Sequence, residues 1–182
     1  YRAQRKAGYE ADKWEIMLAE CHADGSLISN ARSMTGEVDL SFEEIVWCGN
    51  DRIIAAAEAN ASRGLFGLSL NAPNIVERCQ SVGSSGSLSI SVDGSVLICS
   101  NSRLTHPADI YRVRLDPSFL RTRAPGENLS HANDDLLATL NMPQPESVTV
   151  TGAEGDPMQM WILFPPDFDK SKKWPLAFLV HG

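Results

Sequence analysis

Long apolar runs are missing from this sequence. The purest, Ile53 to Ala57 and Leu176 to Val180, fall far short of the roughly 20 residues that cross a bilayer, so no membrane-spanning segment is expected. Basic clustering is missing too. Lys and Arg number 16 against 23 Asp and Glu, a formal net charge of -7 with no basic stripe. Nucleic-acid binding rests on clustered cations that release counterions, so that partner class is not expected. Metal-ligand pairs are also lacking: Cys21, Cys48, Cys79 and Cys99 form no CxxC or CxH spacing, and no metal site is expected. Three of them lie in or beside strand-like stretches, where a free Cys acts as a small buried hydrophobe; the even count also permits a disulfide. Finally, the helical period of apolar residues hardly occurs. What remains is globular in type, 43% hydrophobic and 21% charged, enough for one ordinary domain or pieces of two. The first residue is Tyr1, so a leader peptide, if the parent has one, lies outside these residues.

What is present is a series of short β-like runs broken by turn residues. Trp14 to Ala19, Glu43 to Cys48, Arg52 to Glu58, Gly64 to Leu70, Asn74 to Cys79, Ser87 to Val92, Ser95 to Ser100 and Asp109 to Leu115 read as strands. Gly49-Asn50-Asp51, Asp93-Gly94 and Asp24-Gly25 read as turns, because these residue types tolerate positive φ at low steric cost. Asn60-Ala-Ser62 and Asn128-Leu-Ser130 match the glycosylation tripeptide and fit a secreted glycoprotein, though such tripeptides also arise by chance.

A weak internal repeat organises the strands. Glu44-Ile-Val-Trp47, Arg52-Ile-Ile-Ala55 and Leu65-Phe-Gly-Leu68 recur as Ser89-Ile-Ser-Val92, Ser95-Val-Leu-Ile98 and Asp109-Ile-Tyr-Arg112. The shift of about 43 to 45 residues is the length of a four-stranded propeller blade. A β-sandwich supplies similar strands but has no reason to repeat a hairpin and third strand at one blade length. The expected fold is therefore mostly β, with residues 1–121 a partial β-propeller of about two blades plus part of a third. Earlier blades would precede these residues, since propellers close with about four to eight. Trp14 and Trp47 are expected in the blade core. Residues 122–146, polar and interrupted by Pro125, Pro143 and Pro145, read as a linker.

Residues 147–182 open a second region. Ser147 to Thr151 alternates as a strand, Gly152 to Asp156 is a turn, and Met158 to Phe164 reads as a second strand. Pro165-Pro166 ends it, and Trp174 to His181 reads as a third, buried strand. The stretch Thr151-Gly-Ala-Glu-Gly-Asp-Pro-Met-Gln-Met-Trp161-Ile-Leu-Phe-Pro-Pro-Asp-Phe-Asp169, then Lys172-Lys-Trp-Pro175 and a strand into His181-Gly182, resembles the approach to the catalytic domain in the prolyl oligopeptidase family of serine peptidases. Within it the dipeptidyl peptidase V and acylaminoacyl peptidase branch is most similar. Ala7-Gly-Tyr-Glu-Ala-Asp-Lys-Trp14 is similar to a stretch of that branch's propellers.

This resemblance implies a propeller followed by the first strands of an α/β-hydrolase domain. It also implies a serine exopeptidase acting on small peptides, with no cofactor. The oligomeric state and the compartment stay open, with secretion favoured by the tripeptides. The family's nucleophile sits in GxSxG, followed by an acid and a histidine. No GxSxG occurs here. Gly67-Leu-Ser69-Leu-Asn71 and Gly83-Ser-Ser85-Gly-Ser87 lack the final Gly and read as turn and strand serines. No catalytic residue is therefore assigned. The triad is expected beyond residue 182, and these 182 residues by themselves are expected to be inactive.

By resemblance His181 and Gly182 approach the oxyanion loop, and Glu10 is the candidate anchor for a substrate's amino terminus, because a buried ammonium needs a carboxylate partner. A solvated or bridging role competes for Glu10, as it does for Asp12. His22, His106 and His131 read as solvated surface residues, and Asp134-Asp135 as charges at a helix start or in a loop. Two competing readings stand beside the peptidase. One is a non-catalytic propeller interaction module or decayed pseudoenzyme. The other is a different α/β hydrolase such as an acyl esterase, which would not explain the repeat.

Overall fold

The computed structural model of the chain describes residues 1–80, 83–116, 121–122 and 126–180. Strands β1 (Arg2–Ala3), β2 (Glu15–Leu18) and β3 (Arg32–Ser33) form a small three-stranded sheet. β4 (Phe42–Cys48), β5 (Arg52–Ala59), β6 (Ser62–Ser69) and β7 (Val76–Gln80) form a four-stranded meander. β8 (Ser84–Ile90), β9 (Val96–Arg103) and β10 (His106–Asp116) form a second meander, to which β11 (Arg121–Thr122) and β12 (Glu127–Asn128) add by pairing with β10. A single turn of helix, α1 (Asp134–Leu137), precedes the hairpin of β13 (Glu146–Thr151) and β14 (Pro157–Ile162). Every ladder is antiparallel.

The two meanders repeat. Phe42 and Ser84, Arg52 and Val96, and Ser62 and His106 open corresponding strands, at offsets of 42, 44 and 44 residues. The turns expected at Gly49 and Asp93-Gly94 join their first two strands, with Gly49 at φ +69° and Gly94 at φ +71°. At the second turn the Asp93 carboxylate accepts the Ser91 hydroxyl at 2.6 Å and the Ser95 N–H at 3.0 Å. Those bonds, the Ser91 hydroxyl foremost, hold its pKa down to about 2. Gly94 is needed twice over: its φ is left-handed, and a Cβ there would meet Cys48 Sγ at 3.0 Å.

The core runs between sheets, and β5 is buried on both faces. Ile53, Ala55 and Ala57 pack with Ile16, Met34, Phe42, Phe66 and Leu68 toward the first sheet. Ile54 and Ala56 pack with Leu65, Leu88, Leu97, Cys99, Tyr111, Val113 and Leu115 toward the second meander. This is period-two alternation with both faces apolar, which is why Arg52 to Ala59 reads as a nearly continuous apolar run. The three consecutive alanines, all fully buried, leave space for the neighbouring side chains. Phe42 and Phe66 meet edge to face at 6.3 Å. Each large side chain buried here contributes about 1.5–3 kcal/mol relative to exposure.

Several expectations need correction. Trp14 and Trp47 are not core residues: they are 37% and 53% exposed. Trp47 stands next to buried Cys48 on β4, so alternation turns its ring outward. Trp14 precedes β2 and lies under the Arg2 guanidinium, 5.0 Å from the ring centroid. No strand forms over 174–180. Leu176, Phe178, Leu179 and Val180 are all strongly exposed, because a strand requires a ladder partner and β13–β14 is a two-stranded sheet that does not extend to them. His181 and Gly182 lie outside the described residues.

The stretch read as a linker is bound back onto the second meander at its start. Buried Asp109 accepts the Asn128 amide at 3.1 Å, the Ala132 N–H at 3.0 Å and the Ser130 hydroxyl. The cysteines are all free thiols; Cys48, Cys79 and Cys99 are buried and Cys21 is exposed.

Candidate functional site

The loop between β1 and β2 holds Glu10 out from the fold. Gly8 turns the chain at φ +71°, the Asp12 carboxylate accepts the Lys6 N–H at 2.7 Å, and the Gln4 amide donates to the Tyr9 and Asp12 carbonyls at 3.1 and 2.6 Å. Lys13 is fixed just beyond by donating to the Gly36 and Val38 carbonyls at 2.8 and 2.7 Å. With its neighbours' polar groups satisfied locally, Glu10 sits exposed on the rim of an open cavity of about 780 Å³.

Three segments line this cavity: residues 10–14, the start of β4 with Ser41 and Glu43, and the tip of the β5–β6 hairpin with Glu58 and Arg63; Arg2 closes it. Its charges are not equivalent. Arg63 is paired with Glu43 at 3.0 Å and approaches Glu44 at 3.6 Å. Glu44 in turn accepts the Ser87 and Leu88 N–H groups at 2.9 and 2.5 Å, bracing β8 against the hairpin. Arg2 donates to the Phe42 carbonyl at 2.9 Å and covers Trp14. Among the described residues, the Glu10 and Glu58 carboxylates have no hydrogen-bond or ion-pair partner. The cavity thus offers two uncommitted anions beside an exposed indole, an arrangement suited to a cation with an apolar body.

The cavity lies at the end of the sheet where the second region makes contact. The Trp161 indole N–H on β14 donates to the Ala61 carbonyl at 3.4 Å, in the turn between Glu58 and Arg63. The sequence singles out Glu10 and Trp14 but not Glu58, which reads as the end of a strand, or Arg63, which falls in the connection before the next. Their signal is the positive-φ pair Asn60-Ala61, φ +53° and +51°, which makes a tight hairpin tip there. Asn60, the first of the tripeptide asparagines, is exposed on that tip, whereas Asn128 and Ser130 spend their side chains on Asp109.

The other sequence candidates are not gathered here. His22, His106 and His131 are exposed; His131 pairs with Asp134 at 2.7 Å, and His106 meets the Thr105 hydroxyl at 2.8 Å. Asp134 and Asp135 start α1. Ser69 ends β6 and accepts the Asn71 N–H at 3.3 Å, while Ser85 is buried in β8 under the Asn101 amide at 2.9 Å, so neither is an exposed nucleophile. Among the described residues no cluster of three or more His, Cys, Asp or Glu is arranged to hold a metal ion.

No family model matches the chain. Individual proteins do. The dipeptidyl-peptidase 5 of Trichophyton schoenleinii is 32% identical over 190 residues, covering 100% of this chain and 24% of that protein. Among solved structures, the AtxE2 isopeptidase superposes with a TM-score of 0.68 at 13% identity, over 96% of this chain and 25% of its own. The acylaminoacyl peptidase of Pyrococcus horikoshii does so at 0.59 and 12%, over 88% and 22%. At those identities the structures speak for the fold alone. The chain spans about a quarter of the length of the curated relatives it matches.

Proposed function

We propose, from the premise that the chain belongs to the prolyl oligopeptidase family of peptidases, that it is the substrate-anchoring part of a serine-type exopeptidase of the dipeptidyl-peptidase 5 kind. Its three packed sheets are consecutive blades of a β-propeller. Residues 122–146 link them to the opening of an α/β-hydrolase domain at 147–182, with His181 and Gly182 leading into the oxyanion loop. In the whole protein a serine, relieved of its proton by a histidine that an aspartate orients, attacks the peptide carbonyl. Backbone donors stabilise the oxyanion, and water releases the acyl group. Residues of the present chain perform none of those bond changes. Glu10, with Glu58 across the cavity, takes the free amino group of a small peptide.

The observation that supports this reading is the Trp161–Ala61 contact, because it joins β14 to the hairpin whose residues Glu58 and Arg63 line the cavity with the two unpaired carboxylates. An open carboxylate–ammonium contact is worth under about 1 kcal/mol; roofed by a second domain and shielded from water it is worth several times more. A non-catalytic interaction module would keep the stacked sheets but leaves the uncommitted carboxylates and the hairpin contact without a purpose.

The test is fluorophosphonate labelling and hydrolysis of dipeptidyl arylamides. The complete protein carrying this sequence is expected to label and to release dipeptides, and the 182-residue chain alone to do neither. A complete protein that neither labels nor cleaves overturns the reading.

A further inference from the structure

We propose that an apolar cavity between the first sheet and the first meander binds a small free molecule carrying a neutral aromatic ring system, at a site apart from the carboxylate cavity. Neither Glu10 nor Glu58 belongs to it. The cavity holds about 260 Å³ and is lined by β2 and the residues just after it, by Ile45 and Trp47 on β4, and by Ile53 on β5. Ile53 lies toward the opposite end of β5 from Glu58, on the order of 16 Å along the strand.

The ladder makes the gap. Trp47 pairs directly with Ile53, so the indole stands beside that side chain on the face turned to the first sheet, where Ile53 packs with Ile16 and Met34. β2 ends at Leu18, and its partner β3 is two residues long. Beyond Leu18 the chain leaves the sheet for a loop closed by the Cys21–Leu27 bridge. That loop borders the face without filling it: Leu27 is 64% exposed and Trp47 53%.

The walls select the ligand. No charged side chain is among the residues lining the cavity, although 21% of the chain is charged, and an ion entering it would lose its hydration with nothing to replace it. An apolar cavity of about 150 Å³ takes benzene, so this one has room for a fused pair of rings. The Trp47 indole gives an incoming ring an edge-to-face or offset-stacked partner. A free molecule fits better than an extended peptide, because the first sheet's backbone is already spent here. The Met17 N–H donates to the Tyr1 carbonyl, the His22 N–H to the Ser26 carbonyl and the Ile28 N–H to the Glu20 carbonyl, each at 2.8 Å, so an added strand finds no ladder on that side.

The experiment follows the rate at which iodoacetamide modifies Cys21 in the complete protein carrying this sequence, read by mass spectrometry of the peptide that contains it. Cys21 is an exposed free thiol on the cavity wall, so a bound ring screens it. Saturating indole is expected to slow the reaction at least about fivefold, with half-protection on the order of 1 mM. Benzylamine, a cation of similar size, is expected to change the rate by less than about twofold. Trp47→Ala is expected to remove most of the protection by indole, and Trp47→Phe to keep it. A wild-type protein in which indole does not protect Cys21 overturns the proposal, whatever the variants do. So does protection that persists in Trp47→Ala, or equal protection by benzylamine. If acetyl-Ala-Trp-Ala-amide protects at a concentration about tenfold or more below that of indole, the occupant is a polypeptide side chain and the proposal falls.

Discussion

Trp161 and Ala61 are joined by a hydrogen bond of 3.4 Å across one hundred residues of sequence. Ala61 holds that carbonyl in place from a left-handed conformation, φ +51°, and shares the hairpin tip with Asn60 at φ +53°. An L-residue other than Asn or Asp is strained there, and the strain sits in a hairpin that both lines the cavity and meets β14.

Relieving that strain stabilises the chain. Ala61→Gly keeps the carbonyl acceptor and removes the Cβ of an exposed residue. A gain of about 0.5–1 kcal/mol is expected, read as a higher midpoint in urea at unchanged slope. A loss of similar size would mean that the unfolded-state entropy of Gly outweighs the strain.

Thiol chemistry separates the surface from the core. Burial pushes the Cys79 thiol up to about 12 and Cys99 to about 11, and raises Cys48 as well, so these three are protonated and shielded at neutral pH. Titration with a thiol-reactive disulfide at pH 8 is expected to count one fast thiol, Cys21, in the native chain and four after denaturation. Two or more fast thiols in the native chain would contradict the packing between the two meanders.

The Asp109 clamp makes stability depend on acid. The Ser130 hydroxyl, then the Ala132 N–H and the Asn128 amide, lower the Asp109 pKa below its ordinary value. A depressed carboxyl contributes stability that is fully present above the unfolded-state pKa, about 3.9, and is lost as pH falls through the lower folded-state value. Asp109→Asn is therefore expected to lower the urea midpoint at pH 7 and to converge on the wild type as pH falls through the lowered Asp109 value. A gap that does not shrink as the pH is lowered would assign the effect to packing instead of charge.

The sheets were legible because their signals are local. Ile53-Ile54 and the alanines after them announce a strand buried on both faces, and Gly49 and Gly94 supply the positive φ their hairpins need. The cavity was legible only in part. Glu10 stood in a recognisable stretch, but Glu58 and Arg63 reach it through a turn whose second residue is Ala61, and alanine carries no turn signal. Side-chain identity also does not say which face a residue takes: Trp47 alternates outward beside Cys48, and Trp14 lies under Arg2 instead of in the core. The run from Trp174 to Val180 has strand composition, but a strand is made by its neighbour in the ladder, and composition does not specify one.

The anchoring role of Glu10 is tested most directly by comparing kcat/KM on one dipeptidyl arylamide with its amino terminus free and acetylated, in the complete protein carrying this sequence and in its Glu10→Gln variant. The free peptide is expected to be favoured by at least tenfold in the wild type, and Glu10→Gln to erase most of that preference through KM while sparing the acetylated substrate. Equal cleavage of both peptides by the wild type, or a preference that survives Glu10→Gln, would contradict it.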